Sequence, residues 1–419
     1  MKIKIIEKSY SEAIKHPADY IVKPKKPSFL LNTLIRILSE FELSKLKFKK
    51  ELIGMDKLSK KEPCLFLMNH SSFIDGKIAS KLLYPRKYNI VLTDDGFVGK
   101  KWLMQNIGCI KTRKYVPDTR IVKDMINIIK KHKRSILMFP EACYSFDGTA
   151  TQIPYQLAKC IKLLGIPVVM IKTKGAFLRQ PLYNNLRLRK VNVSATMKYL
   201  LSAQDINQKS IDEIFDIIKQ EFSFDYFKEQ LEDGVIVSDE FRAEALNRVL
   251  YKCPCCGAEG VMEGLGINLT CKKCNALWEM QEDGSLKSDT FTFTDIPSWY
   301  KWERLMVSGD VEDDDYEEDY KVDVYLQRDY KGLYKIGEGI LTQTKDGIHL
   351  KTNDGEVDFY QSNKVMYSLN TDFFFYEIGD MVCIGDEQNR FYCFPHKKDV
   401  VAKMRLVTEE TFKLKKNNI

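Results

Sequence analysis

The sequence predicts an α/β domain, then a small cysteine-bound module, then a β-rich domain closed by a C-terminal helix. Three observations carry this. Short apolar runs alternate with stretches of helical period between residue 64 and about residue 200, the pattern of a layered α/β unit. Two Cys-x2-Cys knuckles stand at 253–256 and 271–274. From about 320 to 395 the chain is rich in Tyr, Phe, Val and Ile, broken by Asp346 with Gly347 and by Asp354 with Gly355, both hairpin-turn signals. The expected divisions are 1–60, a basic amphipathic helical region; 61–250, the α/β domain with trailing helices; 251–282, the cysteine module; and 290–419, the β-rich domain. A chain of 419 residues has room for two or three such units.

In the first region, residues 27–43 place Leu30, Leu31, Leu34, Leu38 and Phe41 on one helical face, with Asn32, Arg36, Ser39 and Glu40 opposite. Lys23, Lys25 and Lys26 precede this stretch, and Lys45, Lys47, Lys49 and Lys50 follow it. A basic amphipathic helix of this kind lies in a membrane interface or packs on its own core, and the pattern leaves both open.

Residues 64–68, 89–92, 135–139 and 167–171 read as buried strands, with helical spacing at 119–131 and 155–164. Val191, Val193, Ala195 and Met197 alternate along 190–197, which suggests a strand nearer an edge. Ser210 with Glu213 is a capping box that opens a helix through about 220, and further helix is expected to 250. Residues 399–415 return to helical spacing with Val400, Met404 and Val407 on one face. Several strands closed by one helix resemble the pleckstrin-homology-like architecture, and an unrelated small β-barrel fits the same pattern. Trp299, Trp302 and Met306 share one side of a helix capped by Asp295 and begun near Pro297; they are interfacial aromatics or an ordinary packing face.

Composition narrows the class. Hydrophobic residues make 44% and charged residues 29%, a globular balance. No apolar run approaches the roughly 18–20 residues of a membrane-spanning helix, and the polar, lysine-rich start at 1–10 is unlike a secretory signal. Lysine dominates the first 200 residues, whereas 312–319 is almost wholly acidic. A basic face of this kind suits anionic lipid, nucleic acid or acyl-carrier protein. Eleven cysteines, four at metal spacing and the rest scattered, fit a reducing cytoplasm better than a disulfide framework.

The chemistry centres on residues 69–75, just after the first strand. His70 and Asp75, five positions apart at a strand-to-helix junction, can turn toward each other, so that the carboxylate fixes the imidazole tautomer and leaves the other nitrogen to take a proton from a hydroxyl. Three further segments follow: Gly108 to Arg113 after the second strand, Phe139-Pro140-Glu141 at the end of the third, and Ile166-Pro167-Val168-Val169 opening the fourth. In that order and spacing they resemble the four motifs of the glycerophospholipid acyltransferase family, which includes the lysophosphatidic acid acyltransferases. Gly54 and Leu58 also fit its approach to the first strand, and the resemblance covers roughly 45–200.

The resemblance implies that His70 is the general base and Asp75 its orienting partner. It implies that Arg113 binds the acceptor's phosphate or other polar head and that Glu141 organises the acceptor site. Ser71 or backbone amides would supply donors to the thioester oxygen. The family's arginine after Phe-Pro-Glu is replaced here by Tyr144, and Met170 stands where a second proline is common. Cys143, beside the third motif, reads as a buried inert thiol rather than a nucleophile. The expected reaction moves an acyl group from acyl-CoA or acyl-carrier protein to a lysophospholipid hydroxyl. The expected setting is cytoplasmic, peripheral on the inner face of an anionic membrane. A lipid-binding or scaffold protein on a degenerate domain is the rival reading.

Cys253, Cys256, Cys271 and Cys274, with fourteen residues between the knuckles, resemble a zinc ribbon, with rubredoxin-like iron as the alternative, and the full sulfur shell makes the metal structural. Cys255 is spare. Zinc ribbons are frequent in nucleic-acid proteins, but few basic and aromatic residues interleave here, so no nucleic-acid partner is expected.

Overall fold

The computed structural model describes residues 3–17, 22–113, 119–141, 143–289, 293–313, 315–386 and 388–417. Ala142, inside the third motif, and Asp314, inside the acidic run, lie outside them. Among the described residues a seven-stranded sheet forms the α/β domain, in the order Lys49–Ile53, Ser194–Leu201, Val168–Lys174, Leu65–Met68, Ser135–Met138, Tyr88–Thr93, Cys109–Thr112. The last five run parallel, and Ser194–Leu201 turns antiparallel against Val168–Lys174. Leu65–Met68 is buried at every residue, as a central parallel strand covered on both faces must be. The helices Thr119–Lys130 and Gln156–Leu164 fall where the periodicity puts them. Ile211–Glu221 opens on the Ser210–Glu213 capping box.

Three long-range features depart from the sequence reading. Lys49–Ile53, within the stretch expected to be helical, is the edge strand paired in parallel with Ser194–Leu201. Ile5–Glu7 pairs in parallel with Leu333–Thr344, Ile5 opposite Leu333, so the N-terminal segment joins the C-terminal sheet. Both are short strands created by partners more than a hundred residues away, and neither has a local pattern strong enough to announce it. Helix does not continue to 250: it ends at Glu232, Gly234 follows at φ +62°, and the backbone then bonds to the cysteine module (Val237 N to Glu282 O, 2.8 Å; Ala243 N to Gly266 O, 2.9 Å).

The helix of the first region runs Phe29–Lys45 and packs by the face expected to be polar. Ser39 and Leu43 are buried, and Glu40 and Glu42 pair with Lys81 and Lys77 of the next helix, Asp75–Leu83. Leu30, Leu34, Ile37, Leu38 and Phe41 point outward, between 51% and 79% exposed. No helix among the described residues is long and apolar enough to cross a membrane.

The cysteine module carries four short antiparallel strands, Met262–Leu265, Asn268–Cys271, Leu277–Met280 and Leu286–Lys287. Trp278 packs on Trp299 with ring centroids 4.7 Å apart, and Trp299 Nε1 donates to Lys252 O. The helix Ile296–Asp310, capped by Asp295, is therefore a packing helix on its Trp299 side. In the C-terminal sheet, Glu317–Gln327, Leu333–Thr344, Gly347–Thr352, Asp358–Ser362, Asn370–Phe375, Gly379–Gly385 and Arg390–Pro395 are strands 1 to 7 and lie in the order 4-3-2-1-7-6-5, with Val401–Asn417 as the closing helix. Arg390 and Tyr330 of this domain both reach Asp94, which follows Tyr88–Thr93 of the α/β sheet, and Tyr376 OH donates to Asp95 O beside it.

Candidate active site

The parallel strands end on one edge of the sheet, the side where α/β folds gather their sites. Leu65–Met68 delivers Asn69, His70 and Ser71 there, and the turn 71–74 brings Asp75 to the start of the following helix. His70 Nδ1 lies 3.2 Å from Asp75 Oδ2. The same carboxylate oxygen accepts the backbone N–H of Ser71 at 2.6 Å and of Ser72 at 3.0 Å. Asp75 is fully buried, whereas the His70 side chain keeps 22% of its surface open. The imidazole is thus oriented on one nitrogen and accessible elsewhere.

Glu141, at the end of the Phe-Pro-Glu stretch, is buried and holds the loop from the other side. Its Oε2 accepts the His70 N–H at 2.8 Å, and its Oε1 accepts the Thr151 hydroxyl at 3.1 Å. Burial pushes its carboxyl up to about 7, against the opposing pull of the His70 and Thr151 donors. Glu141 therefore organises the His70 backbone, rather than presenting itself to a ligand.

Ser71, expected to face the substrate, is turned inward. Its hydroxyl lies 2.5 Å from Tyr226 OH and 3.3 Å from Thr173 Oγ1, and the residue is buried. The reason is a polar lock below the loop. Asn69 Oδ1 accepts Thr173 N at 2.8 Å, and its amide donates to Tyr226 OH. A serine placed in that interior satisfies the network rather than the solvent. Asn69, Thr173, Thr151 and Tyr226 are the residues that sequence reasoning missed.

Two rings pack tilted against the imidazole, Tyr144 at 4.1 Å and Phe139 at 4.4 Å between centroids. Phe73, largely exposed, stands 5.4 Å from Tyr144. Tyr144, where the family has an arginine, therefore gives the mouth an aromatic wall. Arg113 follows Cys109–Thr112 and is half-buried. Three strand spacings separate it from the His70 strand, roughly 14 Å at about 4.8 Å each.

Residues 49–173 match the family model described as Acyltransferase. That span begins at the edge strand Lys49–Ile53 and includes His70, Asp75, Arg113 and Glu141. The chain is also 27% identical over 133 residues to a chloroplastic 1-acyl-sn-glycerol-3-phosphate acyltransferase of Brassica napus, an alignment covering 30% of this chain and 38% of that one. This chain thus spans under half the length of that relative. A comparison with the solved 1-acyl-sn-glycerophosphate acyltransferase PlsC of Thermotoga maritima gives a TM-score of 0.35 at 13% identity, covering 45% of this chain and 77% of that one.

Outside the acyltransferase domain, the Sγ atoms of Cys253, Cys256, Cys271 and Cys274 lie within 4.8 Å of one another. Cys253 to Cys274 and Cys256 to Cys271 are each 3.7 Å. A tetrahedron of roughly 2.3 Å metal–sulfur bonds has edges of roughly 3.8 Å, so the donor set fits a tetrahedral thiophilic ion. The knuckles repeat each other: Gly257 N bonds Cys253 O, and Asn275 N bonds Cys271 O. Gly257 and Asn275 take the left-handed turn at φ +70° and +62°.

Proposed function

We propose that this chain transfers a fatty acyl group from a thioester, on coenzyme A or acyl-carrier protein, to the hydroxyl of a lysophospholipid of the 1-acylglycerol-3-phosphate type. The observation that carries this is the His70–Asp75 contact, at the end of a central strand inside the matched domain. With Nδ1–H directed to Asp75, Nε2 takes the proton of the acceptor hydroxyl. The oxygen attacks the thioester carbonyl, the C–S bond breaks, and the departing sulfur receives the proton from His70. Asp75 stabilises the imidazolium formed in between. No acyl-enzyme is required, and the inertness of Cys143 agrees with its burial.

Arg113 binds the acceptor's phosphate as a planar charged fork. Its side chain, the glycerol phosphate and His70 together bridge the distance across the sheet. The acceptor is reached from the bilayer surface through Phe29–Lys45, whose outward Leu30, Leu34, Leu38 and Phe41 insert while the flanking lysines meet anionic headgroups on the cytoplasmic face. The cysteine cluster holds one structural zinc. The strand order and closing helix of the C-terminal domain support its pleckstrin-homology-like reading. An acyl-transfer assay of the full chain with a panel of lysolipids and both donors tests the proposal.

A further inference from the structure

A cavity of about 910 Å³ lies where the α/β domain, the helix Ile296–Asp310 and the C-terminal helix meet, and the reaction described above does not use it. Its apolar lining includes Phe146, Phe215 and Phe222. Its charged lining includes four carboxylates, each already engaged. Asp225 and Asp295 cap helices, Asp147 accepts from Thr149, and Glu409 is held by Arg304 and Arg405. Lys413 pairs with Glu410. Lys219 and Lys301, exposed at the rim, have no ion pair among the described residues.

The deciding group is Tyr300. It is 5% exposed and lines the cavity, and its hydroxyl makes no hydrogen bond among the described residues. Arg304, Arg405, Glu409 and Asp147 are its charged neighbours, and all of them line the same space. The hydroxyl opens onto the cavity, where a polar ligand can bond it in place of water.

We propose that this cavity binds a phosphate-bearing amphiphile, its phosphate held by Lys219, Lys301 and the Tyr300 hydroxyl and its apolar part lying over Phe215 and Phe222. The cavity wall also contains Thr151, which bonds Glu141, which in turn bonds the His70 backbone. Two hydrogen bonds thus link the cavity wall to the His70 loop.

Calorimetric titration of the full chain at low salt decides it, with three probes: coenzyme A, hexanoyl lysophosphatidate below its micelle concentration, and inorganic phosphate. The expected result is binding of at least one organic phosphate at a site besides the catalytic one. Its affinity should fall tenfold or more in Lys219→Glu with Lys301→Glu, fall at least threefold in Tyr300→Phe, and stay unchanged in His70→Ala. Binding of coenzyme A alone identifies a thiol-carrier source, and binding of the lysolipid alone a membrane source. Failure of both organic phosphates to bind, affinity unaltered by the rim and Tyr300 variants, or inorganic phosphate binding as tightly as either overturns the proposal. Turnover plays no part in the readout. An inactive protein that binds as described would refute the transfer reading and leave this one standing.

Discussion

Asp75 Oδ2 serves His70 Nδ1 at 3.2 Å and the Ser71 amide at 2.6 Å with the same oxygen. One carboxylate therefore sets both the imidazole's orientation and the shape of the turn that carries it. Replacing His70 with Ala removes the base without disturbing this turn and should lower kcat by about 10²–10⁴-fold, the range typical of general-base catalysis. Asp75→Asn should be slowed comparably, because the amide no longer stabilises the imidazolium. Circular dichroism and steady-state kinetics on both variants check this, and near-wild-type turnover in His70→Ala would refute the mechanism.

The Glu141 carboxyl, raised from 4.5 to about 7 by burial, binds its proton more tightly in the folded state than in the unfolded one. Its stabilising contribution is fully present below about pH 4.5 and is lost as pH rises through about 7. In Glu141→Gln that loss is absent. The amide accepts at one position only and presents an N–H toward either the His70 N–H or the Thr151 hydroxyl, a cost that does not vary with pH. The stability of Glu141→Gln relative to wild type should therefore improve between pH 5 and pH 8, by on the order of 3 kcal/mol. Urea melts at the two pH values measure it; a difference that does not change with pH, or changes the other way, contradicts the assignment.

The two matched knuckles predict one zinc per chain by elemental analysis of protein prepared without chelators. Cys255, exposed and outside the cluster, should be replaceable by Ser with the metal retained. Cys271→Ser should lose the metal and loosen the packing of Trp278 on Trp299, visible as a shift in tryptophan emission. Absence of metal from wild-type protein would remove the site.

The outward apolar face of Phe29–Lys45 predicts binding to anionic vesicles, partly released by high salt. Each lysine near an anionic leaflet contributes about 1 kcal/mol, screened over a Debye length. Leu34→Ser, Leu38→Ser and Phe41→Ser together should weaken the salt-resistant part in flotation assays, and these exposed positions leave the fold unchanged. Substitution is a better test than truncation, because Ile5–Glu7 belongs to the C-terminal sheet. Equal flotation of the triple variant would exclude the helix as the contact.

The residues that were legible in the sequence are those whose chemistry is local. The His70 to Asp75 spacing, the Phe-Pro-Glu stretch and the paired cysteine knuckles each lie within a few positions of a turn that the sequence itself marks. The residues that were missed act over long range. Tyr226 reaches the catalytic loop from a helix 155 residues beyond Ser71, and Thr151 reaches Glu141 through a loop. Ser71 is a candidate donor by its place beside His70, and the Asn69–Thr173–Tyr226 lock that turns it inward is invisible in the sequence. The helix at Phe29–Lys45 had the right period, yet its period could not say which face meets the protein. The face that meets the protein carries Leu43, buried in the core, with Glu40 and Glu42 paired to Lys81 and Lys77.

The central claim is most directly tested by following both products of one reaction: the ester formed on a lysophospholipid and the thiol released from the donor. With the full chain, one thiol should appear per acyl group esterified, and both signals should vanish in His70→Ala. Thiol release without lipid ester, or equal ester formation by wild type and His70→Ala, would contradict the account.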